Sequence, residues 1–143
     1  VLATFLRRAL LKQPIVLFGD GSQRRDPLYV DDACDALLLA GLVEDPQERT
    51  FNIGSGDPVP LAVCAAALTA LAGLPPVELR AFPPERKEID IGDYYSDITA
   101  AGRVLGWKPR TAMLEGLKDS LAFFEDLRAE YLSQPIACPL CRS

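Results

Sequence analysis

The sequence predicts an α/β fold. Short β-branched or aromatic runs at 15–18, 28–30, 50–54, 77–82 and 93–97 alternate with longer segments of helical periodicity. That order builds sheets with some parallel pairing and helices packed on them. Proline or glycine stands at several junctions, as at Pro14, Gly19, Gly73 and Gly106, where the chain must reverse or a helix must end. With 143 residues, 49% of them apolar, the chain fits one domain that buries about two thirds of its unfolded surface.

The first helix is expected over 2–11, because Leu2, Phe5, Leu6, Ala9 and Leu10 share a face while Arg7, Arg8 and Lys12 lie off it. Pro14 ends it. "IVLF", 15–18, is a strand bounded by Pro14 and Gly19. A polar loop follows, then "LYV", 28–30, as another short strand. Asp31 or Asp32 is the expected N-cap of a helix over "ACDALLLAGLV", with Asp35 near its positive end. "TFNIG", 50–54, is the next strand, closed by "GSGDP", in which Gly54 and Gly56 serve a turn that Asn52 can tie down. Pro60 suits a first helical position, and an Ala/Leu-rich helix runs to a Gly73 C-cap. "VELRAF", 77–82, alternates as a half-exposed strand, and "DYYSD", 93–97, is the last strand. Thr99 caps a short helix ending at Gly106, and Trp107 anchors the core. A final helix then carries Leu114, Leu117, Leu121 and Phe124 at three- and four-residue spacing, with Gly116 inside it at a cost of about 1 kcal/mol.

The formal charge is −5, from 20 acidic and 15 basic residues with no histidine. It disfavours a nucleic-acid partner, which needs a broad basic face, but leaves room for a small anion held by one or two arginines. No apolar run approaches the ~20 residues of a membrane span. The early arginines follow the first apolar residues rather than precede them, unlike a secretory signal. Cys34 and Cys64 fall in apolar helical patterns and are expected as buried free thiols. Cys138 and Cys141 form a lone C-x-x-C without partners for a metal site. They belong to an expected flexible tail, 133–143, after a main region over 1–132. An untargeted chain with free thiols fits a cytoplasmic location. The first residue is not methionine and lies inside a helical pattern, so the chain is expected to be a piece of something longer.

The loop "GDGSQRRDP" between the first two strands holds paired arginines beside turn formers. Alone it reads as a solvated connection. However, "PIVLFGDGSQRRDPLYVDDACDALLLA", "FNIGSG", "DYYSD" and "LGWKPRTAMLEGL" occur in order over residues 1 to about 125. As a set they resemble the C-terminal, substrate-binding part of the NAD-dependent epimerase/dehydratase family, extended short-chain dehydrogenases acting on nucleotide sugars. The resemblance implies part of a Rossmann-type sheet plus a small substrate-binding α/β subdomain.

The same resemblance implies a UDP- or dTDP-sugar as partner and NAD as the cofactor of the full-length enzyme, a sugar 4-epimerase. It also leaves room for a full-length homodimer. Arg25 would contact the diphosphate, to which a guanidinium fork donates bidentate hydrogen bonds, with Asp26 orienting that fork. The backbone of Val16 and Phe18 would read the base. In "PPERKEIDIGDYYSD", Asp90 and Tyr94 fall in register with the family's second clamp. Lys87 occupies the slot of its arginine, and Arg86 matches by type one position away. The cofactor fingerprint and the Tyr-x-x-x-Lys pair are absent from the sequence. No catalytic, cofactor-binding or metal-ligating residue is therefore assigned, and this chain alone is expected neither to bind NAD nor to turn over substrate without a missing N-terminal Rossmann half. A dehydratase or reductase of the same superfamily, or a non-catalytic binding or interaction domain, are the alternatives.

Overall fold

The computed structural model describes residues 1–44, 50–88 and 90–133, without the side chain of Arg86. Its elements run α1 (Leu2–Leu10), β1 (Val16–Phe18), β2 (Arg24–Arg25), α2 (Val30–Leu42), β3 (Val59–Pro60) and α3 (Leu61–Ala72). They continue with β4 (Glu78–Arg80), α4 (Pro84–Lys87), α5 (Thr99–Leu105), α6 (Met113–Asp126) and α7 (Arg128–Ser133). The expected tail, with Cys138 and Cys141, lies outside the described residues beyond Ser133.

Two small sheets join these elements. β1 pairs in parallel with β4, Leu17 opposite Leu79, and β2 pairs antiparallel with β3, Arg24 opposite Pro60. The α/β class therefore holds, as a two-stranded parallel piece of a Rossmann-like sheet with helices beside it. The first core gathers Phe5, Leu6 and Ala9 of α1, Ile15 and Leu17 around β1, and Leu61, Ala65 and Leu68 of α3. Leu121 and Phe124 of α6 close over it. The α1 stripe that the periodicity marks is the buried stripe, and Gly73 caps α3 at φ +59°, a conformation glycine adopts without strain.

A second core joins Ala36 of α2 to Ala101 and Leu105 of α5 through Trp107. Its keystone is Asp32, only 4% exposed. The Asp32 carbonyl accepts the Trp107 indole N–H at 3.0 Å, and its carboxylate accepts the N–H groups of Arg110 and Thr111 at 3.0 and 2.9 Å. Burial by itself would raise this carboxyl's pKa. The backbone donors of Thr111 and Arg110, with the Arg110 charge, outweigh it and hold the group below its ordinary value.

Several expectations give way to pairing and packing. "LYV" forms no strand. Tyr29 is extended but serves as N-cap of α2, which opens at Val30. Asp31 and Asp32 lie in the first turn rather than at the cap, because Asp32 is turned onto the 107–111 segment. "TFNIG" finds no ladder partner among the described residues; Phe51 and Ile53 pack on the second core instead. "DYYSD" makes one backbone bond to the edge of β2, from Tyr94 N–H to the Arg24 carbonyl at 3.1 Å, and is not a strand. Pro60 is the N-cap of α3 rather than its first residue. In "VELRAF" only 78–80 pairs, and Leu79 is 63% exposed, since neither face of so short a strand is covered.

At α5 the N-cap is Ile98 and Thr99 is the first helical residue rather than the cap; the carboxylate of the preceding Asp97 accepts the Thr99 N–H at 2.9 Å. That hydrogen bonding, with Thr99, lowers the Asp97 pKa. On α6, Leu117 is buried but Leu114 is exposed, and Gly116 faces the Tyr29 ring, which lies 3.1 Å from where a Cβ would sit. Cys64 is buried, and burial pushes its thiol pKa up. Cys34 is exposed instead, on a stripe of α2 with Val30, Leu37, Leu38 and Leu42 that no described element covers.

Asp32→Ala leaves the part-buried N–H groups of Arg110 and Thr111 without their acceptor. It is expected to cost about 1–3 kcal/mol at neutral pH in urea denaturation. Because the native carboxyl titrates below its unfolded value of 3.8, its stabilisation is complete above that pH. It is lost as the pH falls through the lower native value. Wild-type and variant stabilities therefore converge in strongly acidic solution.

Candidate functional site

The 19–26 loop is shaped by glycines and carboxylates. Gly19 and Gly21 both adopt φ +72°. Between them Asp20 accepts the Ser22 N–H at 2.9 Å in a tight side-chain turn, and bonding to Ser22 lowers the Asp20 pKa. The chain then extends into β2, where the Arg24 N–H donates to Asp93 at 2.8 Å. Two residues later comes the tie that closes the site. The Asp26 carboxylate accepts the Ser55 N–H at 2.7 Å, the Ser55 hydroxyl, and the Ser96 N–H at 3.1 Å. Gly54 makes this possible: a Cβ built on it would overlap Asp26 Oδ2. Only Gly56 of the two turn glycines has a positive φ, +70°. Gly54 is required by close approach instead.

Asp26 thus does not orient the Arg25 fork, since its carboxylate is committed to Ser55 and Ser96. The Arg25 guanidinium is held by the carbonyls of Arg24, at 2.8 Å, and Gly92, and lies 3.6 Å from Asp90 Oδ1. Its side chain keeps 21% of its surface exposed, toward a cleft of about 250 Å³. Val16, Phe18, Arg25 and Asp90 all line this cleft, together with Arg80 and Phe82. Phe18 and Phe82 pair with ring centroids 5.9 Å apart. On β1, Ile15 and Gly19 direct their backbone groups to β4, so the main-chain groups of Val16 point to the opposite edge.

The other sequence candidates stand apart from this cleft. Lys87 is exposed at the end of α4, and Tyr94 is exposed beside β2; neither lines it. The Arg86 side chain lies outside the described residues. The neighbour that the later charged segment brings to Arg25 is therefore an acid, Asp90. The further cations lining the cleft are Arg80, ion-paired with Glu78 at 2.8 Å, and Arg8, whose guanidinium donates to the Pro14 carbonyl at 3.0 Å. Sequence reading missed Arg80 and Phe82. They reach the cleft only because β4 lies parallel to β1, with Arg80 opposite Phe18, and a two-strand register has no local signal.

The likeness of this fold to solved nucleotide-sugar epimerase structures places the α/β chain in the short-chain dehydrogenase/reductase class. It belongs to the NAD-dependent epimerase/dehydratase family, whose family model matches residues 1–54. The chain is 34% identical over 126 residues to the UDP-glucose 4-epimerase of Mycolicibacterium smegmatis, covering 88% of this chain and 39% of that protein. Its fold matches the UDP-glucose 4-epimerase of Thermotoga maritima, solved with UDP-glucose, at a TM-score of 0.75 and 30% identity, over 90% of this chain and 40% of the other. An epimerase of Methanothermobacter thermautotrophicus matches at 0.80 and 26% identity, over 92% and 38%. The chain thus spans about two fifths of the length of these relatives.

Gly54→Ala is expected to push Asp26 off its Ser55 and Ser96 donors and lower stability by about 2 kcal/mol or more. The measurement is the urea midpoint, with the m-value unchanged. An unaltered midpoint would show that the Asp26 tie does not constrain the turn.

Proposed function

We propose that the chain is the nucleotide-sugar-binding segment of an NAD-dependent sugar 4-epimerase. The observation that carries this reading is Arg25: a guanidinium fixed by two backbone carbonyls at the mouth of a cleft, partly open to solvent. A diphosphate entering the cleft would exchange the long Asp90 contact for charge-assisted bonds to the same fork, with Arg80 as a second cation. The base would lie toward Phe18 and Phe82, within reach of the main-chain groups of Val16. The names of two of the matched relatives, both UDP-glucose 4-epimerases, support a UDP-sugar as the class to test first.

The residues present do not fit NAD. Gly19 and Gly21 follow β1 but lead into β2 rather than into a helix, so this loop offers no helix N-terminus to a pyrophosphate. The sequence also holds no Tyr-x-x-x-Lys pair. What this chain contributes is binding and orientation of the sugar nucleotide, while redox chemistry requires a further cofactor-binding half. The uncovered stripe on α2 and the unpaired segment 50–54 are where that half would seat. The same stripe favours the second reading, an interaction module that binds no nucleotide.

Calorimetric titration separates the two. The wild-type chain is expected to bind UDP and UDP-glucose and to give no heat with NAD. Arg25→Ala is expected to weaken UDP binding by about tenfold or more, the loss of one charge-assisted contact. A well-folded chain that gives no heat with UDP, or an Arg25→Ala variant that binds as the wild type does, would overturn the proposal.

A further inference from the structure

We infer that α7 is a strap that docks on α1 and undocks as a unit, with Arg7 as its catch, and that its docking steadies the α1 wall of the cleft. The effect on the cleft rests on the nucleotide-sugar reading above, whereas the strap stands without it. Arg7 lies off the buried stripe of α1 and does not line the cleft. Its two terminal nitrogens donate to the carbonyls of Tyr131 and Leu132, each at 3.2 Å, in the last turn of α7. A helix leaves its final carbonyls without intrahelical partners. A guanidinium placed there meets both those acceptors and the negative end of the helix. One turn back along α1, the Ala3 carbonyl accepts the Tyr131 hydroxyl at 3.3 Å.

Apolar burial adds little to this attachment. No residue of α7 is buried, and its ring contact is Tyr131 on Phe124, with centroids 4.4 Å apart. Segments with few buried apolar contacts open locally, well below the free energy of global unfolding. Leu127, between α6 and α7, departs from helical geometry at φ −96°, ψ 17°, and supplies the hinge. The surface beneath the strap is the part of α1 that needs fastening, because the helix begins without a side-chain cap. Its first two turns present Val1, Thr4, Phe5 and Arg8 to the cleft, while Ala3 and Arg7, one turn apart on another face, take the strap. Docking of α7 and seating of a ligand therefore restrain the same turns, and each favours the other by linkage.

The test is brief trypsin digestion of the native full chain, comparing cleavage after Arg128 in α7 with cleavage after Lys118 in α6. Under these conditions proteolysis tracks the population of the opened segment. In the wild type, low urea is expected to leave the Arg128 rate nearly unchanged, since local opening exposes little surface, while the Lys118 rate rises. Arg7→Gln is expected to raise the Arg128 rate about fivefold or more without changing the Lys118 rate. Tyr131→Phe, which deletes the hydroxyl bond to Ala3 and keeps the ring, is expected to raise it by a smaller factor. Wild-type rates at the two sites that climb together with urea overturn the strap, and that measurement needs no variant to fold. So does an Arg7→Gln variant whose Arg128 rate stays at the wild-type value, or one in which both rates rise alike. Calorimetric titration then decides the effect on the cleft, where Arg7→Gln is expected to weaken UDP binding about fivefold. Unchanged UDP affinity beside faster Arg128 cleavage overturns that effect and leaves the strap. A wild-type chain that gives no heat with UDP overturns the nucleotide-sugar reading and the effect on the cleft together, and the cleavage rates still decide the strap.

Discussion

The site depends on one carboxylate serving three donors. Asp26 follows directly on the arginine that faces the cleft, yet it bonds to Ser55 and Ser96, residues far along the chain. An ionised carboxylate is the side chain suited to this, because two oxygens can accept several hydrogen bonds at once and bonds to a charged acceptor are the stronger kind. The tie draws the 50s turn and the 90s segment onto the end of β2. Gly92 and Asp90 thereby come within reach of Arg25. A guanidinium on a free loop would sample many rotamers. Here its conformational entropy is already spent before any ligand arrives, which is the condition for tight anion capture.

Asp32 plays the matching part in the second core. It sits on the first turn of α2 and binds the segment after α5 through Trp107, Arg110 and Thr111. Both aspartates therefore act as long-range staples between segments distant in sequence. This arrangement suits a chain whose hydrophobic residues are divided between two small clusters rather than one large one. It also bears on how α2 can keep several large apolar side chains exposed: the helix is fastened from its N-terminal turn by polar bonds as well as by its buried face.

What the sequence by itself determined are the features set by local rules. The α1 stripe, the β1 run, the Ala/Leu-rich α3 with its Gly73 cap, the Gly106 stop and the buried Trp107 follow from periodicity and backbone preference, which neighbours in the chain already decide. The motif singled out Arg25, and the fold places it on the cleft. The tertiary structure alone decided which extended runs became strands: "LYV", "TFNIG" and "DYYSD" carry strand-like residues, but a strand exists only when a partner completes its hydrogen bonds. It alone placed Arg80, Phe82 and Gln23 around Arg25 and left Lys87 and Tyr94 outside. It alone turned Asp26 and Asp32 from local capping or orienting groups into staples. The physical reason is the same in each case. A short carboxylate or an exposed β-run can satisfy its polar groups locally or at long range, and only the folded chain offers the long-range donors.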